Sequence, residues 1–472
     1  MRRPTWMLLL VLALCALPNS VTAQKFSQQT GTPSRLISPA GLGPDYSGLL
    51  GVGIGLQPST AEFGIEAGDF VVQPRLFLEA AYTTNFYRED LRSRVSGLTT
   101  ELSDVFMLKL RPGIGMYNPG FSKVAVTAGI DANIRVPLSG SQTDKDLIDV
   151  GGVAHMAVSF FPKGPFTFVL HEQFRRDLWN RPASTVANAN RNKNKLGADM
   201  VIKPGGGAIE FTLGYDWDID RYDDASNMDV DQHRFRLLGS WRFYPLSYVF
   251  IESTFNMLDY PNAAPESEGS LGNYRAATPV RASAGLSGYF TERVALLVRL
   301  GYGNSLLEEQ LAAPDNFEML VGMAQLSFRF GPGTVLHVGG AHDFETVIFG
   351  GYRSYFRGYA SLDQRLGGFG MLHIDAAYDY RDYGLWSPYP YDIPNAGELT
   401  PQVSESQRND SRIRAGMLVD FNVHRAFGIT LGYRYDTVLT DFNIVINSAG
   451  YDAKTFTGYD EHRIFTTLNV RY

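Results

Sequence analysis

Cysteine is almost missing from this chain: Cys15 is the single one among 472 residues. It falls within residues 1–23, where Arg2 and Arg3, an apolar stretch from Trp6 to Leu17 and the small-residue site Val21-Thr22-Ala23 predict a secretory signal peptide. No thiol follows Ala23, so disulfides, thiol nucleophiles and cysteine–zinc sites are excluded from the exported protein. Charge is scarce too, at 19% of residues against roughly 25% in ordinary soluble domains. The formal net charge is −7, and a mildly acidic exported protein makes a poor nucleic-acid binder. Long apolar runs are absent as well. After the signal nothing reaches the ~18 apolar residues that a transmembrane helix needs. Lysine numbers only 9 against 33 arginines.

What is abundant is glycine (48), tyrosine (25) and phenylalanine (30), yet mean hydropathy is only −0.13. Many strands that alternate apolar and polar residues give this combination, and helices do not.

Residues 24–68 are rich in Gly, Ser, Pro and Gln and hold no sustained period, which predicts a periplasmic lead or a segment at the mouth of the main domain. Gly51-Val52-Gly53-Ile54-Gly55 lies there without the strand-then-helix context of a phosphate loop. From Asp69 to Tyr472 the period becomes two. In Phe427–Asp436, for example, Phe427, Ile429, Leu431, Tyr433 and Tyr435 share one face, while Gly428, Thr430, Gly432, Arg434 and Asp436 share the other. About eighteen such segments can be drawn across 69–472. Short turns with Gly and Pro, such as Asn118-Pro119-Gly120 and Gly331-Pro332-Gly333, alternate with long polar connections at 88–100, 138–146, 180–193, 222–231, 260–277, 305–316, 344–354, 384–410 and 440–459. An even strand number, alternating connection length and one apolar face per strand predict an all-β fold: a transmembrane antiparallel up-and-down β-barrel in the outer membrane. Its outer face would meet the lipid bilayer, with Trp217, Trp241 and Tyr433 among the aromatics of the interfacial girdles.

The polar face then turns to the lumen. Its candidate pore-lining residues are Arg111, Arg135, Arg234, Arg236, Arg281, Arg299, Arg329, Arg412, Arg414, Arg434, Asp216, Asp218, Asp375, Asp379 and Asp420. Glu79, Lys109, Arg357, Asp436 and Arg463 share that face. Guanidinium groups bind carboxylate, phosphate and sugar oxygens in a fixed planar geometry. The same charges would also pair across the wall and stiffen it, so both roles stay open. Trp386, Tyr389 and Tyr391 in the longest connection suit either stacking on a sugar ring or a place on the barrel rim.

Enzyme chemistry finds no support. Gly285-Leu286-Ser287-Gly288 lacks the spacing and the strand–helix context of a nucleophile elbow. The eight histidines show no metal-binding spacing. Asp216, Asp218 and Asp220 share one face and offer at most weak cation binding. No catalytic residue, metal or cofactor is expected.

The stretch Asp69-Phe-Val-Val-Gln-Pro74-Arg-Leu-Phe-Leu-Glu79-Ala-Ala-Tyr82-Thr-Thr-Asn85-Phe86 resembles the first strand of a family of bacterial outer-membrane β-barrel porins. The final strand, ending Leu468-Asn-Val470-Arg-Tyr472, is similar to the C-terminal strands read by the barrel-assembly machinery of Gram-negative bacteria. Some members of this broad class look like the outer-membrane exits of exopolysaccharide export systems. The resemblance thus implies export of a secreted polysaccharide, with periplasmic export components as partners. The alternatives are a general or substrate-specific uptake porin, and a non-conducting adhesion barrel.

Overall fold

The computed structural model describes residues 65–85, 94–95, 98–99, 104–118, 123–139, 148–178, 190–223, 226, 229–262, 276–307, 316–347, 351–383, 401–403, 409–424, 426–440, 443–448, 451–456 and 458–471. The expected signal peptide at 1–23 lies outside them, as do Gly51–Gly55, Trp386, Tyr389 and Tyr391.

Eighteen long strands follow one another: β1 Phe70–Thr83, β2 Val105–Tyr117, β3 Val124–Pro137, β4 Asp149–Phe160, β5 Phe166–Asp177, β6 Arg191–Ile202, β7 Ile209–Tyr222, β8 Val230–Tyr244 and β9 Ser247–Asp259. The second half comprises β10 Val280–Thr291, β11 Val294–Asn304, β12 Glu318–Gly331, β13 Thr334–Val347, β14 Gly351–Leu366, β15 Gly370–Tyr383, β16 Asn409–His424, β17 Phe427–Thr440 and β18 Tyr459–Arg471. Each strand pairs antiparallel with the next. The sheet closes where Arg75–Thr83 of β1 meets Arg463–Arg471 of β18. Closure satisfies the backbone groups that an open edge would leave bare in lipid. The alternation read from the sequence is therefore a closed antiparallel barrel of eighteen strands.

One edge is finished differently. Ile65–Ala67 forms a short strand that turns back on Phe70–Val72, across Gly68 at φ 63°, a conformation that glycine adopts without strain. It takes up the first residues of β1 beyond the reach of β18. Three residues of the expected lead 24–68 are therefore part of the sheet.

The two faces of the wall differ as lipid and water demand. Leu300 is 67% exposed, Ile130 56% and Phe356 55% on the outer face, whereas Glu79, Asp216 and Asp379 are fully buried on the inner one. A soluble domain would reverse this arrangement. The closed sheet with an apolar outer band and a polar inner wall defines an outer-membrane β-barrel. By the same rule the short-turn end faces the periplasm.

The expected connection 344–354 is a difference. β13 runs to Val347 and β14 starts at Gly351, so only 348–350 separate them. Glu345 stands directly across from Arg353 and forms an ion pair with it, so charges that read as a polar loop continue the hairpin. Three other long connections contribute a second, five-stranded sheet from Arg94–Val95, Leu98–Thr99, Pro401–Val403, Asn443–Ser448 and Tyr451–Phe456. Its order, 401–403, 443–448, 451–456, 94–95 and 98–99, follows the order in which β16, β17, β18, β1 and β2 pair in the barrel.

Candidate functional site

Strand register fixes which side chains share the inner wall. Glu79 on β1 faces Lys109 on β2, which faces Arg135 on β3. The Glu79 carboxylate is fully buried and gathers three cations. Arg111 Nη2 donates to its Oε2 at 2.6 Å, Lys109 Nζ stands 3.3 Å from Oε1, and Arg463 Nη2 donates to Oε1. Arg434 lies directly across from Arg463. Like charges opposed across a strand pair repel, so the shared carboxylate is what holds this set together. Arg135 turns its Nη2 to the Leu178 carbonyl at 3.0 Å.

A second cluster repeats the device on β14–β17. Asp379, also fully buried, accepts two hydrogen bonds from Arg357: Nε to Oδ1 at 2.5 Å and Nη2 to Oδ2 at 3.1 Å. Arg381 and Arg414 each donate Nη2 to its Oδ2, at 3.3 Å and 3.2 Å. Beside it Arg412 grips Asp436 with Nε at 2.7 Å and Nη2 at 2.5 Å, and the Tyr459 hydroxyl donates to the same carboxylate at 3.1 Å. Parallel two-point contacts of this kind are the strongest arginine–carboxylate geometry.

The remaining wall mixes its charges more evenly. Asp216 Oδ1 lies 2.9 Å from His171 Nε2, and its Oδ2 lies 3.3 Å from Lys195 Nζ and 3.1 Å from Arg236 Nε. Arg236 also donates to Asp199 at 3.0 Å, and Arg234 lies 3.4 Å from Asp218. Farther round, Arg281 Nε donates to Asp343 at 2.9 Å, and Arg299 Nη1 donates to Glu252 at 3.3 Å.

The expected inner-face residues thus separate into groups. Arg111 joins the Glu79 cluster, while Arg412 and Arg414 join the Asp379 and Asp436 group. Arg234, Arg236, Asp216 and Asp218 sit together on β7 and β8. Asp420 accepts the Thr430 hydroxyl at 2.5 Å, and Asp375 Oδ1 lies 3.5 Å from His373 Nε2. Arg329 lies at the periplasmic end of β12, away from both arginine clusters.

Counting inner-face side chains by strand exposes an imbalance. On β14–β18 and β1–β3 there are twelve cations: Arg353, Arg357, Arg365, Arg381, Arg412, Arg414, Arg434, Arg463, Arg75, Lys109, Arg111 and Arg135. They face nine carboxylates: Asp363, Asp375, Asp379, Asp410, Asp420, Asp436, Glu461, Glu79 and Asp131. On β4–β13 the two signs are equal. The cations there are Arg175, Arg191, Lys193, Lys195, Arg234, Arg236, Arg242, Arg281, Arg299 and Arg329. The carboxylates are Asp149, Asp177, Asp199, Glu210, Asp216, Asp218, Asp220, Glu252, Asp343 and Glu345. Among these described residues cations outnumber carboxylates by twenty-two to nineteen, and the excess belongs to the inner wall as a whole, because Asp149 on β4 stands directly across from Arg135 on β3 and Glu345 on β13 directly across from Arg353 on β14.

Sequence reasoning missed Arg353 and Arg381, and it missed that part of the inner wall is apolar. Leu297 on β11 and Met323 on β12 are buried together, with Tyr248, Phe250 and Ala341 packed against them. A rule that sends apolar residues to lipid cannot find these. The near-continuous apolar run Val294-Ala295-Leu296-Leu297-Val298 was the available signal, since strands apolar on both faces lose their alternation.

No family model matches the sequence, and no curated protein does. Among solved structures the chain is similar to OccK9 (OpdG) of Pseudomonas aeruginosa at 10% identity, with 85% of this chain and 98% of that one covered and a TM-score of 0.47. For OccAB3 of Acinetobacter baumannii the values are 11%, 85%, 99% and 0.46. For the siderophore receptor PirA of Pseudomonas aeruginosa they are 10%, 84%, 80% and 0.41. The reading of the inner wall rests on this chain's own residues.

Proposed function

We propose that the barrel is an outer-membrane channel for the uptake of small hydrophilic solutes, with a preference for anions. The observation that supports this is the excess of cations over carboxylates on the inner wall, twenty-two to nineteen among the described strand residues, with arginines gathered around Glu79 and Asp379. A barrel of about eighteen strands has room for an aqueous lumen. Fixed guanidinium groups around the wall draw anions into it and turn cations away. The ten expected pore-lining arginines, Arg111, Arg135, Arg234, Arg236, Arg281, Arg299, Arg329, Arg412, Arg414 and Arg434, take this role in the proposal, and the five expected aspartates, Asp216, Asp218, Asp375, Asp379 and Asp420, line the same lumen. Passage is passive, so a nutrient gradient across the outer membrane gives it an inward direction.

Polysaccharide export, which the first-strand resemblance implied, draws nothing specific from the geometry. Each arginine cluster is built on the scale of one carboxylate-sized anion and not as a continuous track for a polymer. Single-channel recording of the purified protein under a KCl gradient tests the proposal. A zero-current potential of the sign set by chloride supports it; no conductance, or a potential set by potassium, refutes it. Loss of extracellular polysaccharide on gene deletion would restore the export reading.

A further inference from the structure

At the periplasmic mouth two arginines stand side by side with no carboxylate between them. Val294 at the start of β11 faces Phe328 on β12. One step toward the periplasm, in the turn before β11, the Arg293 carbonyl accepts the Arg329 N–H at 2.7 Å. Arg293 is in phase with the buried Ala295 and Leu297, and Arg329 with the buried Met323 and Gln325, so alternation turns both side chains to the lumen. Both are exposed. Phe290 and Phe330, each 65% exposed on the outer face beside them, mark the aromatic girdle at this end. The turn that presents Arg293 is braced: the Thr291 hydroxyl accepts from the Arg293 and Val294 N–H groups at 3.2 Å and 3.1 Å. Among the described residues neither guanidinium pairs with a carboxylate. Glu292, next to Arg293, is out of phase with it. Arg329 faces Val335 on β13, and beyond Val335 comes Asp363 on β14, whose Oδ1 lies 2.6 Å from His373 Nδ1.

Like charges opposed across a strand pair repel, and elsewhere this wall sets a buried carboxylate among its arginines: Glu79 beside Arg111 and Arg463, and Asp379 beside Arg357, Arg381 and Arg414. At Arg293 and Arg329 the counter-charge is left to come from solution. Directly opposed side chains start about 5 Å apart at Cβ, so the two planar guanidinium forks can converge on one group. A carboxylate has two oxygens and fills one fork, whereas a phosphate has oxygens enough for both. We propose that Arg293 and Arg329 form a binding site for a phosphate group at the periplasmic mouth, taking inorganic phosphate or a phosphate monoester. The inference deepens the channel reading, and its meaning for transport rests on that reading: among anions, the barrel holds phosphate-bearing solutes at its periplasmic opening. The exposure of both arginines lets the anion leave as readily as it arrives, which passage requires.

The test reads binding directly, from the phosphorus NMR linewidth of inorganic phosphate added to the purified protein in detergent at about pH 8, where phosphate is a dianion. Wild-type protein should broaden the line, and an equal concentration of acetate should not reverse the broadening. Arg293→Lys with Arg329→Lys keeps both charges and removes the forks. It should weaken phosphate binding by about tenfold, the order of one charge-assisted hydrogen bond. Arg242→Gln is the control: it removes an exposed inner-face cation at the same mouth whose neighbours across the strands are Ala208 and Tyr248, and it should leave the broadening unchanged. No broadening by the wild-type protein, reversal by acetate, or equal broadening by the wild type and the lysine pair would overturn the site and leave the channel standing. A zero-current potential set by potassium would instead overturn the channel reading, while the phosphate measurement decides the site by itself. The wild-type comparison of phosphate with acetate serves even if the lysine pair fails to assemble.

Discussion

Glu79 and Asp379 each gather three cations around one fully buried carboxylate, and Glu79 makes the clearer test. It is the fully buried anion between Lys109, Arg111 and Arg463, so neutralising it leaves three cations crowded with no charge to hold them. Removing one partner of a buried ion pair typically costs about 3–5 kcal/mol, because the survivor is stranded. Glu79→Gln should therefore lower the unfolding free energy, read from urea titration in liposomes, by an amount of that order. Asp420→Asn is the comparison. It disturbs a carboxylate whose contact is the Thr430 hydroxyl, and a hydrogen bond of that kind is worth about 1 kcal/mol. Equal unfolding free energies for the two variants would show that the cluster does not hold the wall together. Partner choice at this scale was hidden from the sequence. Arg414 stands directly across from Asp436 and Arg412 directly across from Asp379, yet each arginine reaches the other carboxylate. The lean of side chains along a strand decides this, and a list of residues on one face does not contain it.

At the scale of one strand, β11 tests the assignment of faces. Leu300 is 67% exposed near the middle of the outer face, while Leu297 is 6% exposed on the inner face. An arginine on the lipid face at the bilayer midplane costs about 2–4 kcal/mol, falling to about 0–1 near the interface. Leu300→Arg should accordingly reduce the yield of folding into lipid vesicles. Phe330→Arg, at the short-turn end of β12 and 65% exposed, should have little effect. The opposite order would place the hydrocarbon band elsewhere on the strand. Strands were legible in the sequence wherever lipid and water face each other across them, as in β17. They were not where a hairpin is held by charges, as at Glu345 and Arg353, because paired charges and a solvated loop have the same composition. Nor was the inner apolar patch legible, since period two tells only that two faces differ. Where both are apolar, as along Val294–Val298, it says nothing about which side chain turns inward.

For the whole barrel, function turns on how far the field of the inner-wall cations extends into the lumen. The excess of cations is spread around the wall and includes arginines already committed to Glu79, Asp379 and Asp436. What an ion at the barrel axis feels is thus a net field from the wall and not a contact with any one guanidinium. Such a field is screened by salt: the Debye length is about 30 Å at 0.01 M, about 10 Å at 0.1 M and about 3 Å at 1 M. Selectivity that arises from the field should therefore weaken as ionic strength rises, whereas selectivity from a tight contact would persist. The zero-current potential under a tenfold KCl gradient should be close to the chloride limit between about 0.01 M and 0.1 M, and it should fall toward zero between about 0.1 M and 1 M. Arg412→Gln with Arg414→Gln should shrink the low-salt potential and leave the high-salt value nearly unchanged, since screening has already removed their contribution there. A potential independent of salt would mean that anions are chosen at a narrow contact site, and the excess of cations on the wall would then be a matter of barrel stability alone.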